Sequence, residues 1–320
     1  MSHDYFLEPN IQSLQMLLLL CLYAWIRPSV LNVWRLLGHA SRTFLDIIEA
    51  HGSDKTDAAY AGVLYRTLYT LETQIAISLG RPHQLPDGQE LPEFSPDPES
   101  LAASELSTMR YNLARLQNRF HRDIISTGPT VSGQSHTDWA ISNASWLSTS
   151  IGEIKAWIET WNGAVDLFVA GYPVPEADAG VLRGFLGSYG QLEQSEALLL
   201  AKIASGRRGQ HLVAADEEVA ACNQILQAVI DLHQPQQLSH HNILSPYPLQ
   251  FIYPLTWTCA HAGVSAMVGL LQHGENEAGM QPRDLLLCPS LEVLDASGRN
   301  MGWNTKGLVH CIRSLYESRT

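Results

Sequence analysis

Apolar residues along this chain recur at three- and four-residue steps, and sustained two-residue alternation occurs nowhere, so the periodicity restricts it to an all-helical fold. Val30, Val33, Trp34, Leu37, Phe44 and Ile47 mark one stripe, and Leu64, Leu68, Leu71, Ile75 and Leu79 mark a second. Gly80 follows the second stripe where a left-handed residue would cap a helix, and Pro82 blocks continuation. A further stripe of Leu106, Met109, Leu113, Leu116, Phe120 and Ile124 predicts a helix after a loop with Pro86, Pro92, Pro96 and Pro98. That loop, residues 83–98, mixes proline with acidic residues and is expected to be solvated and flexible. More helices are expected at about 138–161, 181–204, 215–233, 249–272 and 301–316, separated by loops rich in Gly and Pro. No internal repeat indicates a solenoid.

At 320 residues, with 45% hydrophobic and 16% charged residues, the composition describes one large continuous core. The expected architecture is a single all-α domain over 1–320, a multi-helix, bundle-like or orthogonal packing. Five cysteines, mostly within apolar runs, suit a reducing compartment, and the sequon at Asn143 is then a chance match. The apolar segment from Leu14 to Ile26 spans 13 residues, too short to cross a bilayer. The stretch 232–274 contains no Asp, Glu, Lys or Arg, but Pro248, Pro254 and His261 interrupt it, so a buried core helix fits it best.

Net charge is about −12, from 20 basic against 32 acidic residues, which disfavours direct contact with a duplex. Arg207-Arg208, between Gly206 and Gly209, is the only compact basic spot and reads as an exposed turn. Cys21, Cys222, Cys259, Cys288 and Cys311 stand far apart, so no pair has zinc-ligand spacing and no metal site is expected. His240-His241 lacks a third ligand at a suitable spacing. His121-Arg122-Asp123 imitates a kinase catalytic loop without its companion motifs, and Gly263-Val264-Ser265 imitates a nucleophile elbow without its second glycine.

Over residues 11–82 the order of segments resembles the regulatory middle region of fungal zinc-cluster transcription factors. In that family a Leu-rich first helix precedes Leu-Gly-x-Ala-x-Arg, matched here by Leu37-Gly38-His39-Ala40-Ser41-Arg42, with His51 later. A Tyr-x-Leu-Asp-Arg helix ending in Gly-Arg-Pro follows, matched by Tyr69-Thr70-Leu71-Glu72-Thr73 and then Gly80-Arg81-Pro82. Glu72-Thr73 replaces the family's Asp-Arg, and Arg66 stands where a Trp is common. The family's six-cysteine DNA-binding module is absent from the sequence, so either a short gene model or loss of the module is implied.

The resemblance implies an all-helical regulatory protein that senses a small molecule or a partner protein, without its own nucleic-acid contact, and resides in the nucleus. Gly38, Arg42, Gly80, Arg81 and Pro82 would be the structural residues of that motif. A different class of function is an enzyme of secondary metabolism that needs no cofactor, a cytoplasmic cyclase or isomerase holding an apolar substrate in a reactive shape. Trp139, Trp146, Trp157 and Trp161 lie on one predicted helix, with Trp157 and Trp161 one turn apart. Tyr253, Trp257 and His261 follow at four-residue steps. Trp157, Trp161, Tyr253 and Trp257 are therefore candidate lining residues of an apolar pocket. His261 is either a hydrogen-bonded core histidine or the one pocket group able to exchange a proton near neutral pH.

Overall fold

The computed structural model describes residues 9–26, 31–50, 55–86, 101–125, 136–171, 176–207, 215–233, 261–268, 270, 282–301 and 306–317. Among the described residues there is no strand, and nearly every residue is helical, as the periodicity requires. Composition alone suggests one unit; the packing divides the chain into two compact ones, Met1–Ile125 and Ser126–Thr320.

The first unit contains α1 (Ile11–Ile26), α2 (Val33–Ala50), α3 (Lys55–Leu79) and α4 (Leu101–Ile125). α2 packs on both α1 and α3, and α3 packs on α4. Each of the first two helices begins at an asparagine cap. Ser13 N–H donates to Asn10 Oδ1 at 2.8 Å and Arg35 N–H to Asn32 Oδ1 at 3.1 Å, each satisfying one of the amides that a helix start leaves open. Of the expected stripes, Leu37, Phe44 and Ile47 on α2 and Leu64, Leu68, Leu71 and Ile75 on α3 are buried, whereas Val33 and Trp34 are half-buried and Val30 lies outside the described residues. Leu79 departs from its stripe and is exposed, because it is the last residue before the cap.

That cap has the geometry expected of glycine. Gly80 has φ +59°, its N–H donates to Ile77 O at 3.2 Å, and Arg81 N–H donates to Ala76 O at 2.8 Å. These two bonds form a Schellman motif, which closes the carbonyls that the helix end leaves open.

The second unit contains α5 (His136–Gly171), α6 (Glu176–Arg207), α7 (Ala215–His233), α8 (residues 261–268), α9 (Pro282–Met301) and α10 (Lys306–Glu317). α6 is its centre and packs on α5 and α7; α9 packs on α7 and α10. α5 outruns the expected 138–161 by nearly three turns at its C-terminal end, carried on by Ala164, Val165 and Val169, which are all buried. α9 overturns the expected loop before residue 301. Pro282 occupies the first helical position, where its missing N–H costs nothing, and Pro289 is carried inside the helix while Leu287, Leu291 and Leu294 bury one face. Burial of that leucine stripe outweighs the lost backbone bond. Among the described residues, no helix is long and apolar enough to cross a membrane.

Candidate functional site

Two places hold polar side chains that burial should exclude. The first joins the two family-like motifs. The segment after Gly80 was expected to begin a solvated loop, but residues 83–86 instead lie pinned along the helices. Glu72 on α3 is fully buried and holds this strap: Gln84 N–H donates to Oε1 at 2.7 Å and Leu85 N–H to Oε2 at 3.3 Å. Tyr65 donates its hydroxyl to Pro86 O at 2.8 Å, and His121 on α4 places Nε2 2.8 Å from Arg81 O. The kinase-like His121 is thus a structural clamp.

His83 completes the strap. Its Nδ1 lies 3.1 Å from Leu85 O, while Nε2 lies 3.5 Å from Tyr69 O and 3.7 Å from Glu72 Oε2. Both ring nitrogens therefore face acceptors. The ring packs 4.4 Å from that of Tyr69, whose hydroxyl accepts a bond from Asn118 Nδ2 at 2.8 Å. Burial pushes the Glu72 carboxyl above the usual carboxylate range, against the opposing pull of His83 and of the Gln84 and Leu85 N–H groups.

On α2, Gly38 faces this strap. A methyl placed there would lie 3.4 Å from Gln84 Oε1 and 3.9 Å from an Arg42 guanidinium nitrogen. Gly38 and the segment following Gly80-Arg81-Pro82 therefore meet, although some forty positions separate them in the chain, and the Arg42 guanidinium lies beside Gly38 one turn along α2. Arg81 and Pro82 themselves are exposed.

The second place lies on α6. Tyr189, Glu193 and Glu196 recur at i, i+4 and i+7, so they form one stripe about 10 Å long on a helix that also buries Gln194, Ser195, Lys202 and Ser205 among its Leu and Ala residues. Tyr189 donates its hydroxyl to Glu193 Oε1. Gln191 donates from Nε2 to Gln194 Oε1 at 3.2 Å, adding a polar shoulder.

At one end of the stripe are the two expected tryptophans. Trp157 and Trp161 are buried on α5 and stack with centroids 5.3 Å apart at 21°. The Trp161 indole N–H donates to Leu186 O at 3.0 Å, and its ring lies 6.0 Å from that of Tyr189. Gly190 makes this seat possible: a Cβ at that position would fall 2.2 Å from Trp161 Nε1.

At the other end, His261 on α8 places Nδ1 3.3 Å from Glu196 Oε1. Its side chain is 26% exposed and that of Glu196 9%. A carboxylate accepting from Nδ1–H fixes the tautomer that leaves Nε2 with a lone pair, the arrangement of a general base. Trp161 and His261 are thus brought to opposite ends of one polar stripe. Tyr253 and Trp257 lie outside the described residues, as do His240 and His241. Ser265 lies within helix α8, and no strand precedes it among the described residues, so the elbow geometry is absent there. Among the described residues, no three His, Cys, Asp or Glu side chains cluster as a metal site would require.

Sequence reasoning missed Glu72, Glu193 and Glu196. The available signal was a carboxylate inside an otherwise apolar helical stretch, which is costly unless hydrogen-bonded. No family model, curated protein or solved structure matches this chain.

Proposed function

We propose that this chain is a regulatory protein of the kind found in the middle region of fungal zinc-cluster transcription factors, responding to a small apolar molecule or a partner protein. The observation that carries the proposal is the meeting of the two motif segments. Gly38 on α2 lies against the strap that follows Gly80-Arg81-Pro82, and Glu72, the residue at the family's Asp position, anchors that strap. A motif whose distant parts build one clamp supports a shared scaffold better than a chance string match does. Nucleic-acid contact is assigned to other chains or modules, in keeping with the net charge of −12.

The His261–Glu196 pair favours a second reading, a cofactor-free cyclase or isomerase acting on an apolar substrate beside Trp157 and Trp161. A histidine held by a buried carboxylate can take and return one proton, and a shaped apolar wall can supply orientation. One experiment separates the two. Thermal unfolding in the presence of a panel of apolar natural products should show stabilisation of about 2.7 kcal/mol for a ligand at a hundred times its dissociation constant. A ligand that His261→Ala still binds and that is recovered unchanged supports the regulator. A ligand converted by the native chain and not by a folded His261→Ala variant supports the enzyme and overturns the regulatory reading.

A further inference from the structure

After Gly80 the strap runs back along α3, meeting Glu72 at Gln84 and Leu85 and Tyr65 at Pro86. Arg81, Pro82, Gln84 and Pro86 are exposed, and only the side chains of His83 and Leu85 turn inward. Few apolar contacts therefore hold the strap, and its docking depends on its polar ones. A segment of that kind opens locally at lower cost than the unit around it unfolds.

Those polar contacts require a particular proton count. His83 Nδ1 lies 3.1 Å from Leu85 O, and Nε2 faces Tyr69 O at 3.5 Å and Glu72 Oε2 at 3.7 Å. A neutral imidazole has one N–H and carbonyl oxygens only accept, so either neutral tautomer beside an ionised Glu72 aims a lone pair at an oxygen. One additional proton removes the conflict. On the ring, it gives an imidazolium that donates from both nitrogens beside the Glu72 carboxylate. On Glu72 Oε2, it turns an O–H toward Nε2 while Nδ1–H donates to Leu85 O. Oε1 accepts the Gln84 N–H in both arrangements. Glu72 and His83 therefore titrate as a pair.

Without that proton, a fully buried carboxylate faces an imidazole lone pair and loses the cation beside it. Burial already pushes the Glu72 carboxyl above its usual range, the direction that retention of a proton requires. The other titratable or charged side chains shown around the strap are Tyr65 and Tyr69 on α3, Tyr111 and His121 on α4, Arg42 on α2 and the strap's own Arg81. Arg42 approaches from the Gly38 side of Gln84. The contact of His121 with Arg81 O is satisfied by a neutral ring carrying Nε2–H, so it sets no such proton count.

We propose that Glu72 and His83 are a proton-operated latch: the strap stays docked on α3 while the pair holds one shared proton, and lifts away when rising pH releases that proton to water. The docked strap binds the proton more tightly than the open one. Docking is therefore fully supported below the pH at which the open strap gives the proton up, and is lost as pH rises through the docked value. Opening frees Glu72 and the Tyr65 hydroxyl from the bonds they make to the strap.

Amide exchange of Gln84 and Leu85 in the full chain, from about pH 5 to about pH 9, reads the latch, with each rate normalised to that of an unprotected amide at the same pH. Protection should be constant at the acid end and then fall about tenfold per pH unit, the slope of one proton, while Leu68 and Ile75 on α3 keep theirs. Glu72→Gln carries a permanent N–H in place of the shared proton and should give a flat profile. His121→Gln keeps a donor for Arg81 O and should retain the native slope. If Glu72→Gln leaves the strap open at every pH, the ring nitrogens of His83 in the native chain decide. A nitrogen NMR shift coincident with the loss of protection supports the latch, and ring nitrogens constant across that interval overturn it. Native protection that does not vary with pH also overturns it, as does a slope that persists in Glu72→Gln or disappears in His121→Gln. So does loss of protection at Leu68 and Ile75 together with the strap, which would mean that the unit unfolds as a whole.

Discussion

Replacing Gly190 with alanine tests the Trp161 seat, because two known effects of that substitution have opposite signs. In the middle of a helix, Gly→Ala normally stabilises by about 1 kcal/mol through backbone entropy. At Gly190 the new methyl would lie 2.2 Å from Trp161 Nε1 and 2.3 Å from its Cδ1, a rigid ring that cannot swing aside as a flexible chain end could. The indole must move. Displacement costs about 1–3 kcal/mol in overpacking, and losing the N–H bond to Leu186 O strands a buried donor for about 1–3 kcal/mol more.

The net expectation is destabilisation by about 1–5 kcal/mol, centred near 3. For a unit of this size, the central value lowers the melting temperature by about 6–12 °C. Urea unfolding followed by far-ultraviolet circular dichroism measures it. Gly184→Ala, in the same helix with nothing within 4 Å of its Cβ position, is the control and should stabilise by about 0.5–1 kcal/mol. Combining Gly190→Ala with Trp161→Phe should cost less than the two separate losses added, since the smaller ring leaves space for the methyl. If Gly190→Ala is neutral or stabilising, or strictly additive with Trp161→Phe, the close seat of the indole on α6 is wrong.

Other outcomes follow from the same contacts. The folded chain binds the Glu72 proton more tightly than the unfolded chain does, so the Glu72 contribution is fully present below about pH 4.5 and is lost as pH rises through its elevated folded value. Relative to Glu72→Gln, the native chain should therefore lose stability as pH is raised above that point in urea titrations; a pH-independent difference would refute the assignment. Burial pushes the Cys21 thiol up to about 12, and Cys222 is also buried, whereas Cys288 and Cys311 are exposed. Mass-resolved labelling with an aromatic disulfide reagent should modify Cys288 and Cys311 rapidly and the other two only on unfolding; fast labelling of Cys21 would contradict the packing of α1 on α2. His121→Ala should release the strap at Arg81 O and cost about 1–3 kcal/mol, read as faster amide exchange at Gln84 and Leu85. Unchanged exchange there would show that Glu72 alone holds the segment.

Much of the helical fold was legible because helix stripes are a local property. The faces of α2 and α3, and the end of α3 at Gly80, follow from spacing and one glycine. What spacing could not give was the fate of residues that break a local rule. Pro289 reads as a terminator, yet α9 runs through it because Leu287, Leu291 and Leu294 bury the same face. Residues 83–86 read as solvated loop, and only the tertiary position of Glu72, His121 and Tyr65 reveals them as a strap. At the candidate site, the Trp157–Trp161 stack was legible as a one-turn spacing. Its seat at Gly190 and the Glu196 partner of His261 were not, since each lies on another helix. Buried carboxylates are especially hard to foresee. Their cost is local, but the donors that offset it arrive from distant chain segments.

The regulatory reading is tested most directly by fusing the full chain to an unrelated DNA-binding module and measuring output from a reporter carrying that module's site in a fungal host. The account expects the fusion to change transcription relative to the module alone, and expects His261→Ala to retain that change while disruption of the strap by Glu72→Ala abolishes it. A fusion that leaves transcription at the level of the module alone, with the chain shown to be folded, would contradict it.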